Sequence, residues 1–180
     1  MGLGKLALRA TIGGYFFGHG MQKLAGWFGG HGPDGTGEFF ESVGLKPGRE
    51  NAVLAGAAEV GGGSLLALGL FTPAAVAALT GVMATAVRHV HWKNGPWNTD
   101  GGVELHAIVL AALAAIADTG PGKYSVDEAL GIRIRGPVVT ALAMSAGVAG
   151  GRYVSQHAAE LFDADAPLSR AVEQVVGAVS

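Results

Sequence analysis

The sequence predicts an all-α integral membrane protein, a four-helix bundle with a fifth, C-terminal transmembrane helix. Three observations predict it. The 180 residues are 49% hydrophobic and only 14% charged, whereas a soluble domain carries about a quarter charged residues. The charges are unevenly placed, since residues 60–87 hold no Asp, Glu, Lys or Arg. Apolar runs of roughly 17 to 25 residues, the length that crosses a hydrocarbon core, recur along the chain and leave too little polar surface to cover them in water.

The first span is expected at residues 3–26. Lys5 and Arg9 resemble the basic flank of a signal peptide, but Arg9 interrupts the apolar stretch and no small-residue cleavage site follows, so the segment reads as an uncleaved span. Gly14 and Gly18, four apart, suggest a close helix approach. Residues 29–37 are rich in glycine but lack a preceding strand and a following Gly-Lys-Ser/Thr, and so read as a flexible loop rather than a phosphate cradle.

The second span is expected at 51–71, with Gly61, Gly62 and Gly63 again suited to close packing. Thr72-Pro73 makes a tight break, because the residue before proline is pushed out of the helical region while proline suits a first helical turn. The third span covers 73–91, residues 93–102 form a turn-rich loop, and the fourth span covers 103–119, closed by Gly120-Pro121-Gly122. Residues 1–130 thus form the four-helix domain and 131–180 a C-terminal extension. Within it, 136–151 lies between Arg135 and Arg152 and reaches only about 24 Å at ~1.5 Å per residue. Arginines that snorkel and the Gly147-x-x-x-Gly151 face favour a short spanning helix over a surface-lying one. The tail from Ser155 is polar, then weakly amphipathic over 168–176, and is expected to end in solvent or at the headgroups.

A net charge of -2 without a basic stripe argues against nucleic acid. The absence of cysteine removes disulfides, thiolate metal sites and dithiol chemistry by this chain, so redox work would need a bound cofactor, a quinone or a partner. Trp27, Trp92 and Trp97 fall on one side of the bundle, as expected of headgroup-level rings, whereas Lys and Arg divide evenly and set no orientation.

Short connections make successive spans antiparallel and gather the polar residues at one end. The first span contributes His19, Gln22 and Lys23, which share a helical face. Glu59 lies about two turns inside the second span, where an ionised carboxylate costs several kcal/mol unless paired, protonated or hydrated. Arg88 or Lys23 could pair with it, or a histidine could share its proton. In the third span Thr85, His89 and Lys93 form one row and Arg88 with Trp92 another, a cationic stripe facing the carboxylates of the second and fourth. His91 follows, and the fourth span opens with Glu104 and His106. Lys23, Lys93 and Arg49 read first as interfacial anchors. His89-x-His91 aims its rings at different faces, so metal binding is disfavoured, as is haem held between His19 and His106. His31 and His157 are expected in solvent.

The run Gly18-His19-Gly20-Met21-Gln22-Lys23-Leu24 resembles the DoxX family of small membrane proteins. The likeness continues through Phe39-Phe40, Gly44-Leu45, Ala58-Glu59-Val60-Gly61-Gly62-Gly63, Gly69-Leu70-Phe71-Thr72, His91-Trp92-Lys93-Asn94-Gly95, Gly101-Gly102-Val103-Glu104 and Gly120-Pro121-Gly122-Lys123-Tyr124-Ser125-Val126-Asp127. It spans roughly residues 3 to 130 and implies four membrane helices and a link to redox systems, quinone-coupled ones included. The residues matching the family's polar motif are His19, Gln22, Lys23, Glu59, His91, Lys93, Asn94 and Glu104; Arg88 and His106 come only from their placement.

The expected function is a membrane component of a quinone-linked redox system, with His19, Glu59 and Glu104 as proton-exchanging groups. Gln22, Lys23, Arg88, His91, Lys93, Asn94 and His106 would bind the substrate. Quinone is the cofactor admitted and no metal is expected. The partners are the bilayer, electrons from a redox partner protein, or a second copy. A non-catalytic subunit docking on a larger complex is the alternative, and a small transporter a weaker one, because no internal repeat is evident.

Overall fold

In the computed structural model, which describes residues 2–162, seven α-helices and no strand are found among the described residues. They are α1 (Leu3–Ala25), α2 (Gly32–Ser42), α3 (Gly48–Leu68), α4 (Thr72–Ala86), α5 (Glu104–Thr119), α6 (Val126–Ala129) and α7 (Pro137–Leu161). The helix begun by α4 continues through a π-helical turn, Val87–His91, and a 3-10 turn, Trp92–Asn94. Two helices, Gly48–Leu68 and Thr72–Asn94, are long and apolar enough to cross a membrane. α5 has 16 residues and spans only about 24 Å against a core of about 30 Å, while α1 carries Lys5, Arg9 and Lys23.

α1 and α3 pack antiparallel along a glycine seam. A Cβ on Gly13 would lie 2.5 Å from Gly63 O, and one on Gly20 would lie 2.7 Å from Gly56 O, so the backbones approach as only glycine allows. Gly14 faces open space and Gly18 reaches only the far edge of the Phe28 ring, so the expected Gly14-x-x-x-Gly18 contact is offset by one residue. In the triple, Gly63 meets α1, Gly62 meets Leu79 of α4, and Gly61 meets nothing.

α7 runs parallel to α4. Gly151 packs on Gly81 and Gly147 on Ala77, which realises the Gly147-x-x-x-Gly151 face. α7 has 25 residues, ten beyond the expected end at Gly151. Up to a kink at His157 it rises about 30 Å, so it is not a short segment. Ser155 therefore belongs to the helix and His157 to its kink, and the expected amphipathic stretch at 168–176 lies outside the described residues. The core joins these helices through Phe16, Leu66, Val76, Leu79, Leu113 and Ile116.

Two features escaped the sequence reading. Residues 32–42, within and beyond the expected loop, form α2, which starts with Pro33 in its first turn. At the end opposite the tryptophans, Arg9 is fully buried and donates to Leu66 O at 3.2 Å, Ala67 O at 2.7 Å and Tyr124 O at 2.7 Å. It thereby satisfies the orphan carbonyls at the C-terminus of α3. Asp127 does the converse for α4, accepting from Phe71 N at 2.8 Å, Thr72 N at 3.0 Å and Thr72 Oγ1 at 2.7 Å. Together they hold the turn between α3 and α4.

Large apolar side chains also stand on the outside: Tyr15 on α1, Leu105 and Ile108 on α5, and Val138, Leu142 and Val148 on α7 are all at least half exposed. Leu105 with Ile108, three apart, and Val138 with Leu142, four apart, share helix faces, and contiguous apolar faces of this kind suit a lipid or partner surround.

Candidate functional site

α1, α4 and α7 finish at the end where α3 and α5 begin, here the loop-side end. Below it, α2, α3, α4 and α7 enclose a cavity of about 500 Å³. Most of its lining is Ala, Gly, Val, Leu and Met, with Phe39 and Phe40 of α2 over the loop-side end. Six polar residues reach it: Lys23, Asn51, Glu59, Thr85, His91 and Ser155. Two of these are already engaged with backbone, Asn51 Nδ2 to Pro47 O at 2.8 Å and Thr85 Oγ1 to Gly81 O at 2.9 Å.

The strongest polar contact is the ion pair Lys23 Nζ to Glu59 Oε2 at 2.7 Å, with side-chain exposures of 19% and 5%. The register set by the Gly13–Gly63 and Gly20–Gly56 contacts places Lys23 about one and a half turns nearer the loop-side end than Glu59. Its four-carbon stem therefore lies along the seam, pointing inward rather than toward the headgroups. This corrects the reading of Lys23 as an interfacial anchor. Lys23 also donates to His19 O at 3.3 Å. His19 is exposed, and its Nδ1 meets Gln22 Oε1 at 2.9 Å, so these two residues stand outside the cavity wall.

A second polar group sits on the loop-side rim. His91 Nδ1 lies 2.6 Å from Gly101 O. A carbonyl can only accept, so Nδ1 carries the proton and neutral His91 keeps Nε2 as an acceptor. Its ring lies against buried His106 at 4.0 Å between centroids, tilted by 41°, and His106 Nδ1 has no partner among the described residues. Asn94 Nδ2 joins the same Gly101 carbonyl at 3.2 Å. Glu104 is exposed and its Oε2 accepts from Asn98 N at 3.0 Å, so this carboxylate holds the loop ahead of α5 and does not reach Glu59.

The cationic stripe of the third span does not form. The π-helical turn at Val87–His91 winds with more residues per turn, which rotates the rows expected at a spacing of four. His89 Nδ1 turns to Val43 O at 3.4 Å, whereas Arg88 and Lys93 are exposed and make no ion pair among the described residues. Arg49 pairs with Asp34 on the surface at 2.9 Å. His31 is exposed, and His157 is half-buried on the ring of Tyr153.

Of the residues singled out by sequence, the fold thus brings Lys23, Glu59 and His91 to one cavity. The family model named DoxX matches residues 4–92. This part of the chain belongs to the DoxX family. No curated protein and no solved structure matches the chain.

The DoxX match takes in His19, Gln22, Lys23, Glu59 and His91, and ends before Lys93, Asn94 and Glu104. It makes the chain a membrane protein. It also ends before α7, whose Ala146, Gly147, Gly150, Gly151, Val154 and Ser155 supply one wall of the cavity. Sequence reasoning missed Asn51 and the phenylalanines of α2 as cavity residues. Phe39-Phe40 beside a Gly-rich stretch was the available signal.

Proposed function

We propose that this protein is a multi-pass membrane component of a quinone-linked redox system, and that the ring of a quinone occupies the cavity between α2, α3, α4 and α7. In this reading α1, α3, α4 and α5 cross the bilayer as a four-helix core and α7 crosses beside them. The observation that carries the proposal is the cavity itself: about 500 Å³ of mostly apolar lining, with one half-buried ion pair and one histidine as its proton-exchanging groups. A site of this size with few convergent polar groups suits a small, largely apolar ligand with polar atoms on its ring.

Lys23 Nζ has a hydrogen to donate to a ring carbonyl oxygen, and its positive charge favours the oxygen that becomes electron-rich on reduction. Reduction of the ring takes two electrons and two protons. The electrons come from a redox partner or an added cofactor. The protons pass through the Lys23–Glu59 pair, and in the reverse direction a hydroquinone hydroxyl donates to His91 Nε2. Family likeness favours redox work but does not by itself license an activity.

The alternative is a non-catalytic subunit, which the exposed apolar faces of α5 and α7 favour as docking surface. Glu59→Gln separates the two. It keeps the shape of the side chain and removes its charge. Quinone turnover lost by at least about tenfold with assembly unchanged supports the redox reading. Turnover unchanged, with co-purifying subunits lost, supports docking.

A further inference from the structure

A second cavity, of about 550 Å³, opens on the α5 side of the α4–α7 seam. Leu110, Met144, Val148 and Ala149 give it apolar walls. Two of its polar residues stand out. Thr80 is 1% exposed, and its hydroxyl has no hydrogen-bond partner among the described residues. Thr85 and Thr140 each bond the carbonyl four residues back, as helix threonines do, so Thr80 departs from a pattern its own helix follows. Arg152 is exposed and makes no ion pair among the described residues.

The depth of Arg152 is the unusual part. The Ala77–Gly147 and Gly81–Gly151 contacts set it beside the middle of the Thr72–Asn94 helix, where a guanidinium facing hydrocarbon needs an anion or water. α5, next to it, is too short to match a full bilayer, and a short helix draws the membrane thinner around itself. Where the bilayer thins in this way, headgroups would come deeper on this face than elsewhere.

We propose that this groove binds an anionic membrane phospholipid. Its phosphate pairs with the Arg152 guanidinium, whose planar fork matches phosphate oxygens. One acyl chain lies along Leu110, Met144 and Val148. The choice of an anionic lipid rests on charge complementarity, and that of a lipid rather than a free anion on the apolar walls.

Native mass spectrometry of the full chain in non-ionic detergent tests this, with phosphatidylglycerol or phosphatidylcholine of matched chains added. The expected result is retention of phosphatidylglycerol at least about tenfold over phosphatidylcholine, the scale of one charge-assisted contact. Arg152→Gln should bring the ratio near one, Arg152→Lys should keep part of it, and Ala149→Phe should displace both lipids. Should Arg152→Gln fail to fold, salt serves instead, since raised ionic strength should erode the preference of the native protein. Equal retention of both lipids, a preference that survives Arg152→Gln, or a dimer that Arg152→Gln dissociates would each overturn the proposal.

Discussion

Lys23 and Glu59 form one unit, and their removal has unequal consequences. Lys23→Met leaves a carboxylate at depth with no counter-charge, which costs about 3–5 kcal/mol for a buried pair. Glu59→Gln leaves an ammonium whose stem can swing toward the loop-side end, a smaller loss. The double variant Lys23→Met with Glu59→Leu should recover most of the stability lost by Lys23→Met alone. Reversible unfolding in mixed micelles measures all three, and a double variant as unstable as Lys23→Met would mean that the pair is not a coupled unit. Depth made Glu59 legible in the sequence, because lipid admits no idle charge there. Its partner was left among Lys23, Arg88 and a histidine, and the π-helical turn that removes Arg88 leaves no mark in a periodicity that assumes 3.6 residues per turn. Arg9 and Asp127 were not singled out as helix-end partners, because only the closed chain brings residue 127 to the start of α4 and Arg9 to the end of α3.

Among the helices, the glycine seams decide which contacts exist. Gly13 and Gly14 are neighbours in α1, yet a Cβ on Gly13 would strike α3, whereas one on Gly14 meets open space. Gly13→Ala should therefore destabilise by about 1–3 kcal/mol through overpacking. Gly14→Ala should be neutral or stabilising by up to about 1 kcal/mol through helix propensity. The same unfolding assay reads both, and equal effects would contradict the seam. Existence and order of the five long helices were legible from apolar run length, and their breaks from Gly and Pro. The register within them was not, because a run such as Gly61-Gly62-Gly63 offers every face at once. α2 was hidden by its own glycines and proline, which read as loop although its first turn tolerates them. α7 was shortened because Arg152 and Gly151 looked like an ending, while the helix runs on through Ser155 to a kink at His157.

For the whole molecule, the apolar exterior and the cavity lined by four helices belong together: lipid outside lets small residues be spent inside, where they leave room for a ligand. The family-matched part brings Lys23, Glu59 and His91, and α7 closes the remaining wall. Gly150 of that wall has nothing within 4 Å of an added Cβ, so Gly150→Leu can place its side chain in the cavity without displacing backbone. Titration of the purified protein with a short-tailed benzoquinone, followed by tryptophan fluorescence or calorimetry, tests the account most directly. Saturable binding to the native protein, weakened at least about tenfold by Gly150→Leu with the fold intact, is the predicted result. Binding that Gly150→Leu leaves unchanged, or no saturable binding to the native protein, would contradict it.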